Sequence, residues 1–393
     1  MQCRVNETGV NLGESMIIES SEPRVLVWSY RNIFRNALFR CPHYEFEGVI
    51  SQVDSADLLA PEFTASGWWY NVAKRTAYHS PIAPNPGIKR LEAQKHYDLF
   101  FAICGQPSDL ITANAAFDWR KHCKTSVCLI DELWISEIKA CRNLFRLLDK
   151  FDIVALYYRQ TVNVVSRMLS AKCIFIPPGV DAIRFCPYPN PPERTVDVYS
   201  IGRRSEATHQ KLLRMAAEDG LFYLHDSIAG GEAIESGQHR ALFANVAKRS
   251  RYFIVNPGYI DRPDIRGDQM EIGNRYFEGA ASGTVMVGEH PKTETFEQLF
   301  DWPDAVVDLP YNSTDIDVTI REMDRKPERM EAIRRTNVRN ALLRHDWAYR
   351  WEAILQAVGL APKPGLAARK ERLQQLAASI SEHESQTAHS RSE

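Results

Sequence analysis

The chain has 393 residues, more than one hydrophobic core usually serves, so two domains of ordinary size are expected. Lys plus Arg number 48 against 50 for Asp plus Glu, and a net charge of −2 gives no footprint for a polyanion, so nucleic acid is not an expected partner. The eight cysteines show no C-x-x-C and no zinc-ligand spacing, which excludes a cysteine-based metal site and fits the reduced thiols of a cytoplasmic protein.

The first 22 residues are polar and acidic, unlike a signal peptide, and are read as a flexible N-terminus. RVLVWSY (24–30) then reads as a first strand, followed by strands at YDLFFAIC (97–104), KTSVCLID (124–131), FDIVALYY (151–158) and AKCIFIP (171–177). Amphipathic segments such as ELWISEIKACRNLFRLLDK lie between the later strands, and this alternation predicts a parallel sheet covered on both faces. Residues 31–96, with GWWYN and SPIAPNPG, read as less regular, with long loops. The proline-rich IPPGVDAIRFCPYPNPPERT (176–195) breaks the pattern and is placed as the linker.

A second series follows: strands at TVDVYSIG (195–202), LFYLHDS (221–227), RYFIVNP (251–257), TVMVG (284–288) and DAVVDLP (304–310), with helices between them. The predicted fold is α/β: two doubly wound, Rossmann-like domains whose ligands bind in the cleft beyond the carboxyl ends of the strands. The segment 314–359 reads as helical, 365–383 as an exposed helix, and SEHESQTAHSRSE as disordered.

Three places carry candidate chemistry. Gly202-Arg203-Arg204 directly follows a strand, where guanidinium forks suit phosphate oxygens; a solvated surface turn is the plain alternative. Lys211 reads as exposed. In NRYFEGAASGTVMVGE, Gly273 or Asn274 caps a helix whose first turn offers free N–H groups to an anion, and Arg275 and Glu278 share one face of it. Either these two form an ordinary ion pair or Glu278 accepts hydroxyls of a ribose or sugar. Asp131-Glu132 ends a first-domain strand; Asp131 either orients an acceptor hydroxyl or acts as base, or caps the following helix. Gly230-Gly231 is a further candidate approach to a nucleotide.

PPGVDAIRF, YSIGRR, NRYFEGAASGTVMVGE and the terminal RHDWAYRWEAIL together resemble the GT-B glycosyltransferases of the family-4 type, in particular the glycosyl transferases group 1 branch related to CgeB-like proteins. The resemblance covers roughly residues 170–357. It implies an acceptor-binding N-terminal domain (23–178), a nucleotide-sugar-binding C-terminal domain (179–345), a crossover helix (346–360) and a polar tail (361–393). By position Glu278 matches the ribose-binding second glutamate of the E-x7-E signature. Gly202 and Arg203 match the Gly-Arg that touches the donor diphosphate. Glu271 stands for the first glutamate, which contacts the donor sugar, although only six residues separate it from Glu278. The glycine-rich loop after the first strand is missing from VWSYRNIFRN.

The resemblance further implies a hexosyltransferase-like enzyme that retains anomeric configuration. It would need neither metal nor cofactor beyond the nucleotide-sugar co-substrate. Its diphosphate would be stabilised by Arg203, Arg204 and the helix turn at 274–276, with Asp131 and Glu271 as catalytic candidates. A glycan or lipid-linked acceptor is expected, with peripheral contact at the inner face of the membrane left open. The alternatives are a nucleotide-sugar epimerase of GT-B fold and a non-catalytic sugar-nucleotide-binding protein.

Overall fold

A computed structural model of the protein describes residues 23–34, 37–54, 56–89, 95–116, 118–226 and 235–390. The expected flexible N-terminus, residues 1–22, lies outside them, as do Gly230 and Gly231.

Six strands form the first sheet: β1 (Val25–Trp28), β2 (Asp57–Leu59), β3 (Tyr97–Cys104), β4 (Cys123–Ile130), β5 (Ile153–Leu156) and β6 (Lys172–Phe175), in the order β2-β1-β3-β4-β5-β6. All pairings are parallel, with Tyr97 opposite Cys123 and Cys104 opposite Ile130 in the central pair. β1 and β5 are buried along their whole length, which is why their sequences run apolar without alternation. The second sheet holds β7 (Val196–Ser200), β8 (Tyr223–His225), β9 (Ser250–Ile254), β10 (Val285–Gly288) and β11 (Val307–Asp308), again parallel, in the order β11-β10-β9-β7-β8. The two doubly wound sheets read from the sequence are therefore present.

Three expectations are corrected. Residues 31–96 contain two helices, Cys41–Asp54 and Gly67–His79, and strand β2 rather than mainly loops. The first of these helices is buried on nearly every side, His43, Glu45 and Glu47 included, so it presents no polar stripe for periodicity to detect. ELWISEIKACRNLFRLLDK is not one helix but four short turns between Ile135 and Leu148. Its start is tied to the second domain, where Ile135 N–H donates to Gln269 Oε1 at 3.0 Å. Finally, the helix expected over 365–383 is present as Pro364–Ser390, begun by a proline that needs no helical donor, but it is not exposed, and it runs on into residues expected to be disordered. Leu366, Leu373, Leu376, Ala377 and Ile380 form its buried stripe, packed against the helices Cys41–Asp54 and Pro327–Arg344.

The helix Trp347–Val358 returns to the first sheet. Asp346 caps it by accepting from Ala348 N–H at 2.9 Å. Trp347 stacks on Phe46 with ring centroids 4.6 Å apart, and Trp351 donates to Asp54 at 2.9 Å. One apolar cluster consequently runs from Val27 and Phe101 through Phe46 and Trp347 into Phe243 and Tyr276, so both domains share a core at their junction. Among the described residues, no helix is long and apolar enough to cross a membrane.

Candidate active site

The carboxyl ends of the two sheets meet. β4 is followed at once by Asp131-Glu132, β7 by Ile201 and then Gly202-Arg203-Arg204, and the loop after β9 spans the gap. Gly202 sits at φ +86°, a left-handed turn that glycine makes without steric cost, and its N–H donates to Asp226 at 3.1 Å. That turn aims Arg203 across the cleft. Its guanidinium lies 4.0 Å from the ring centroid of Tyr259 and 3.1 Å from Asp261. The Tyr259 hydroxyl in turn donates to Glu132 at 3.3 Å. Arg203 and Glu132, from opposite domains, are thus joined through one aromatic ring.

Arg204 is held differently: it pairs with Asp226 at 2.9 Å and also donates to the Asp226 carbonyl, while its own carbonyl accepts from Tyr311. Lys211, expected to be free in solvent, pairs with Asp317 at 3.0 Å.

Asp131 does not cap a helix. The next helical turn starts only at Ile135, and Asp131 Oδ2 lies instead 2.7 Å from His43 Nε2. His43 is 2% exposed, and its Nδ1 is a buried atom without a partner among the described residues. Glu132 beside it is strongly perturbed: burial, and then the Asp131 charge, push its carboxyl up to about 7, against the hydrogen bond from Tyr259. Glu271 is perturbed in the same direction, up to about 7, by burial, which outweighs the hydrogen bond it accepts from Gln269 at 2.6 Å. The same Gln269 amide reaches Thr161 of the first domain at 3.0 Å, so Glu271 lies within the interdomain contact.

The helix Asn274–Ser282 begins after Gly273 and ends at Gly283. Asn274 Oδ1 in its first turn is buried with no hydrogen-bond partner among the described residues. Glu278 departs from what the resemblance assigns. Its side chain is 1% exposed, and its two oxygens are taken by Arg240 and Arg275 rather than left open for ribose hydroxyls. Burial alone would raise this carboxyl, but the charges of Arg275 and Arg240 prevail and hold it below the usual carboxylate range. Arg240 also forks onto Glu45 of the first domain at 2.8 and 2.9 Å, and Glu45 further accepts from Trp347 at 3.0 Å and from Asp181 N–H at 2.8 Å. Arg275, 31% exposed, is the member of this chain that water reaches.

Sequence reasoning named neither His43, Glu45, Arg240, Tyr259 nor Gln269. Glu45 and Arg240 are 195 positions apart and His43 and Asp131 are 88 apart, so no local spacing carries a signal for either pair.

Residues 204–356 match a glycosyl transferase-like family. No curated protein matches the chain in sequence. Among solved structures, an α-glucosyltransferase in complex with UDP-glucose and DNA containing an abasic site aligns with a TM-score of 0.50 at 9% identity, over 86% of this chain and 99% of that one. HepE of Anabaena in complex with UDP-glucose aligns at 0.49 and 12% identity, over 85% and 99%. A glycosyltransferase from Rickettsia africae gives 0.43 and 10%, over 86% and 98%.

Proposed function

We propose that this chain, a GT-B fold whose second domain is glycosyl transferase-like, moves a sugar from a nucleotide-sugar donor to a glycan or lipid-linked acceptor. The observation that carries the reading is the meeting of Arg203, Tyr259 and Glu132 across the cleft where the two parallel sheets end. A half-exposed Arg203–Asp261 pair contributes little to stability, so a diphosphate can replace Asp261 at small cost. The guanidinium then stabilises charge as it develops on the leaving group.

Arg275 adds a second positive group, and Glu278 acts as its positioning residue. Asn274 offers its orphaned carbonyl oxygen to a donor hydroxyl, while the free N–H groups of its helix turn face the phosphates. Gly202 shapes the approach and Arg204 braces it. On the acceptor side, Asp131, oriented by His43, receives the incoming hydroxyl. Glu271 acts from the interdomain loop. In this reading configuration is retained, no metal participates, and the leaving phosphate itself takes the acceptor's proton.

UDP-glucose is the first donor to try, because it is the ligand named with the α-glucosyltransferase structure. A nucleoside diphosphate at about 100 times its Kd should stabilise the protein by about 2.7 kcal/mol, and a panel of UDP, GDP, ADP, TDP and CMP reads the base directly. Labelled donor with a crude glycan acceptor then tests transfer. Failure of every nucleotide to shift the melt would sink the reading. A second reading, an epimerase, draws on the two cleft carboxyls that titrate near neutrality; it predicts interconversion of free donor without transfer.

A further inference from the structure

The helix Gly67–His79, which follows the edge strand β2, is covered on one side only. Ala73 and Ala77 are buried against the domain, and Tyr70 packs on Phe63 and Phe34 with ring centroids 5.3 and 6.4 Å apart. On the other side Trp68, Asn71, Arg75 and His79 are exposed, and their spacing of three or four residues aligns them in one outward row. Trp68 is 71% exposed, more than any other large apolar side chain among the described residues. Trp69 lies beside it at 6.3 Å between centroids, and its indole N–H donates to the Asn85 carbonyl at 2.9 Å. That bond ties the helix to the loop that follows it, where Ile82 is 64% exposed.

The charges here are lopsided. Residues 63–91 hold no Asp or Glu, although 50 of the chain's 393 residues are acidic. Lys74 and Arg75 form no ion pair among the described residues. The turn Arg142–Leu144 lies against the far half of the helix, with Asn143 donating to the Tyr78 carbonyl at 2.7 Å. It brings the exposed Arg142 and, from the turn before it, the exposed Lys139. Two carboxylates are near, Glu62 just before the acid-free stretch and Glu137 beside Tyr78, and they leave the cations in excess.

Exposed indoles flanked by unneutralised ammonium and guanidinium groups are suited to a membrane–water interface, where the rings enter the headgroup layer and the cations meet phosphates. A sugar chain could stack on the same rings, but it offers nothing to the cations. We propose that this face of the first domain docks on an anionic phospholipid surface, with Trp68 and Ile82 inserting and Lys74 and Arg75 holding headgroups. The helix of 13 residues is about 20 Å long, so it lies in the plane of the interface rather than across it. The docking needs no nucleotide and no sugar, so it stands or falls apart from the transfer reaction.

Flotation of the full chain, without donor or acceptor, on phosphatidylglycerol–phosphatidylcholine vesicles and on pure phosphatidylcholine vesicles reads the proposal. Capture by the anionic vesicles, weakened by 0.5 M salt, is expected. Trp68→Ala should weaken it at least about fivefold, and Lys74→Gln/Arg75→Gln about tenfold or more, at roughly fivefold for each charge near the surface. Both variants alter exposed or half-exposed side chains, so their melts should match the parent's; should the double variant melt early, Trp68→Ala alone carries the test. No capture by either vesicle, or capture unchanged in the variants, overturns the proposal. So does a saturable change in tryptophan fluorescence with a soluble oligosaccharide, lost in Trp68→Ala, in the absence of vesicle capture: the rings would then serve a sugar.

Discussion

The seam between the domains has a sealed end and an open end, and both are built from arginines and carboxylates. At the sealed end Arg240 is 3% exposed and Glu45 and Glu278 are 1% exposed, with each charge met by a partner. At the open end Arg203 is 45% and Asp261 34% exposed, and their pairing runs through one guanidinium nitrogen, 3.1 and 3.2 Å from the two carboxylate oxygens, over a tyrosine ring. The same chemistry thus serves opposite ends: where water is excluded a charge is bound to its partner by the cost of leaving it alone, and where water enters it is free to exchange that partner for a ligand.

Removing the sealed charge is the most direct way to break this contrast. Arg240→Ala strands Glu45 and Glu278 in the interior and should cost roughly 3–5 kcal/mol in urea denaturation; a loss below about 1 kcal/mol would mean the two ends do not differ. The mirror experiment, Arg203→Ala, should leave stability within about 1 kcal/mol yet lower kcat by roughly 10²–10³, measured with labelled donor.

Protonation sharpens the comparison further. Glu271 has its folded value raised, so the folded protein holds its proton longer than the unfolded chain does. Its contribution is therefore most favourable below the unfolded value near 4.5 and is lost as pH rises toward about 7. Relative to Glu271→Gln, the natural protein should lose roughly 3 kcal/mol of stability between pH 4.5 and 8, and parallel pH profiles for the two would refute the assignment. The smallest effect is expected from Tyr259→Phe. Loss of the hydrogen bond that lowers the Glu132 carboxyl should move the acidic limb of the kcat profile upward by somewhat less than about one pH unit.

The sequence made legible what burial writes locally. β3 and β4 announce themselves because strands covered on both faces are continuously apolar, and the rule that ligands gather at strand ends led to Asp131 and Arg203. The helix Cys41–Asp54 stayed hidden for the converse reason: polar residues buried against distant partners erase the periodic stripe on which recognition depends. The last helix was read as a helix, but its burial was obscured by composition, its five apolar anchors diluted among polar neighbours. The pairing of Glu278 with Arg275 was legible from their i,i+3 spacing, but its second partner, Arg240, lies on another helix that no spacing connects to it.

Where the connector leaves the first domain, Val180 N–H donates to the His345 carbonyl and Trp347 N–H to the Val180 carbonyl, both at 3.1 Å, and Arg369 grips Asp181 and Asp346 together. The two crossings of the polypeptide are thereby riveted at one point instead of swinging separately. A pull on the connector is therefore carried at once to the returning helix and, through Arg369, to the tail helix behind it.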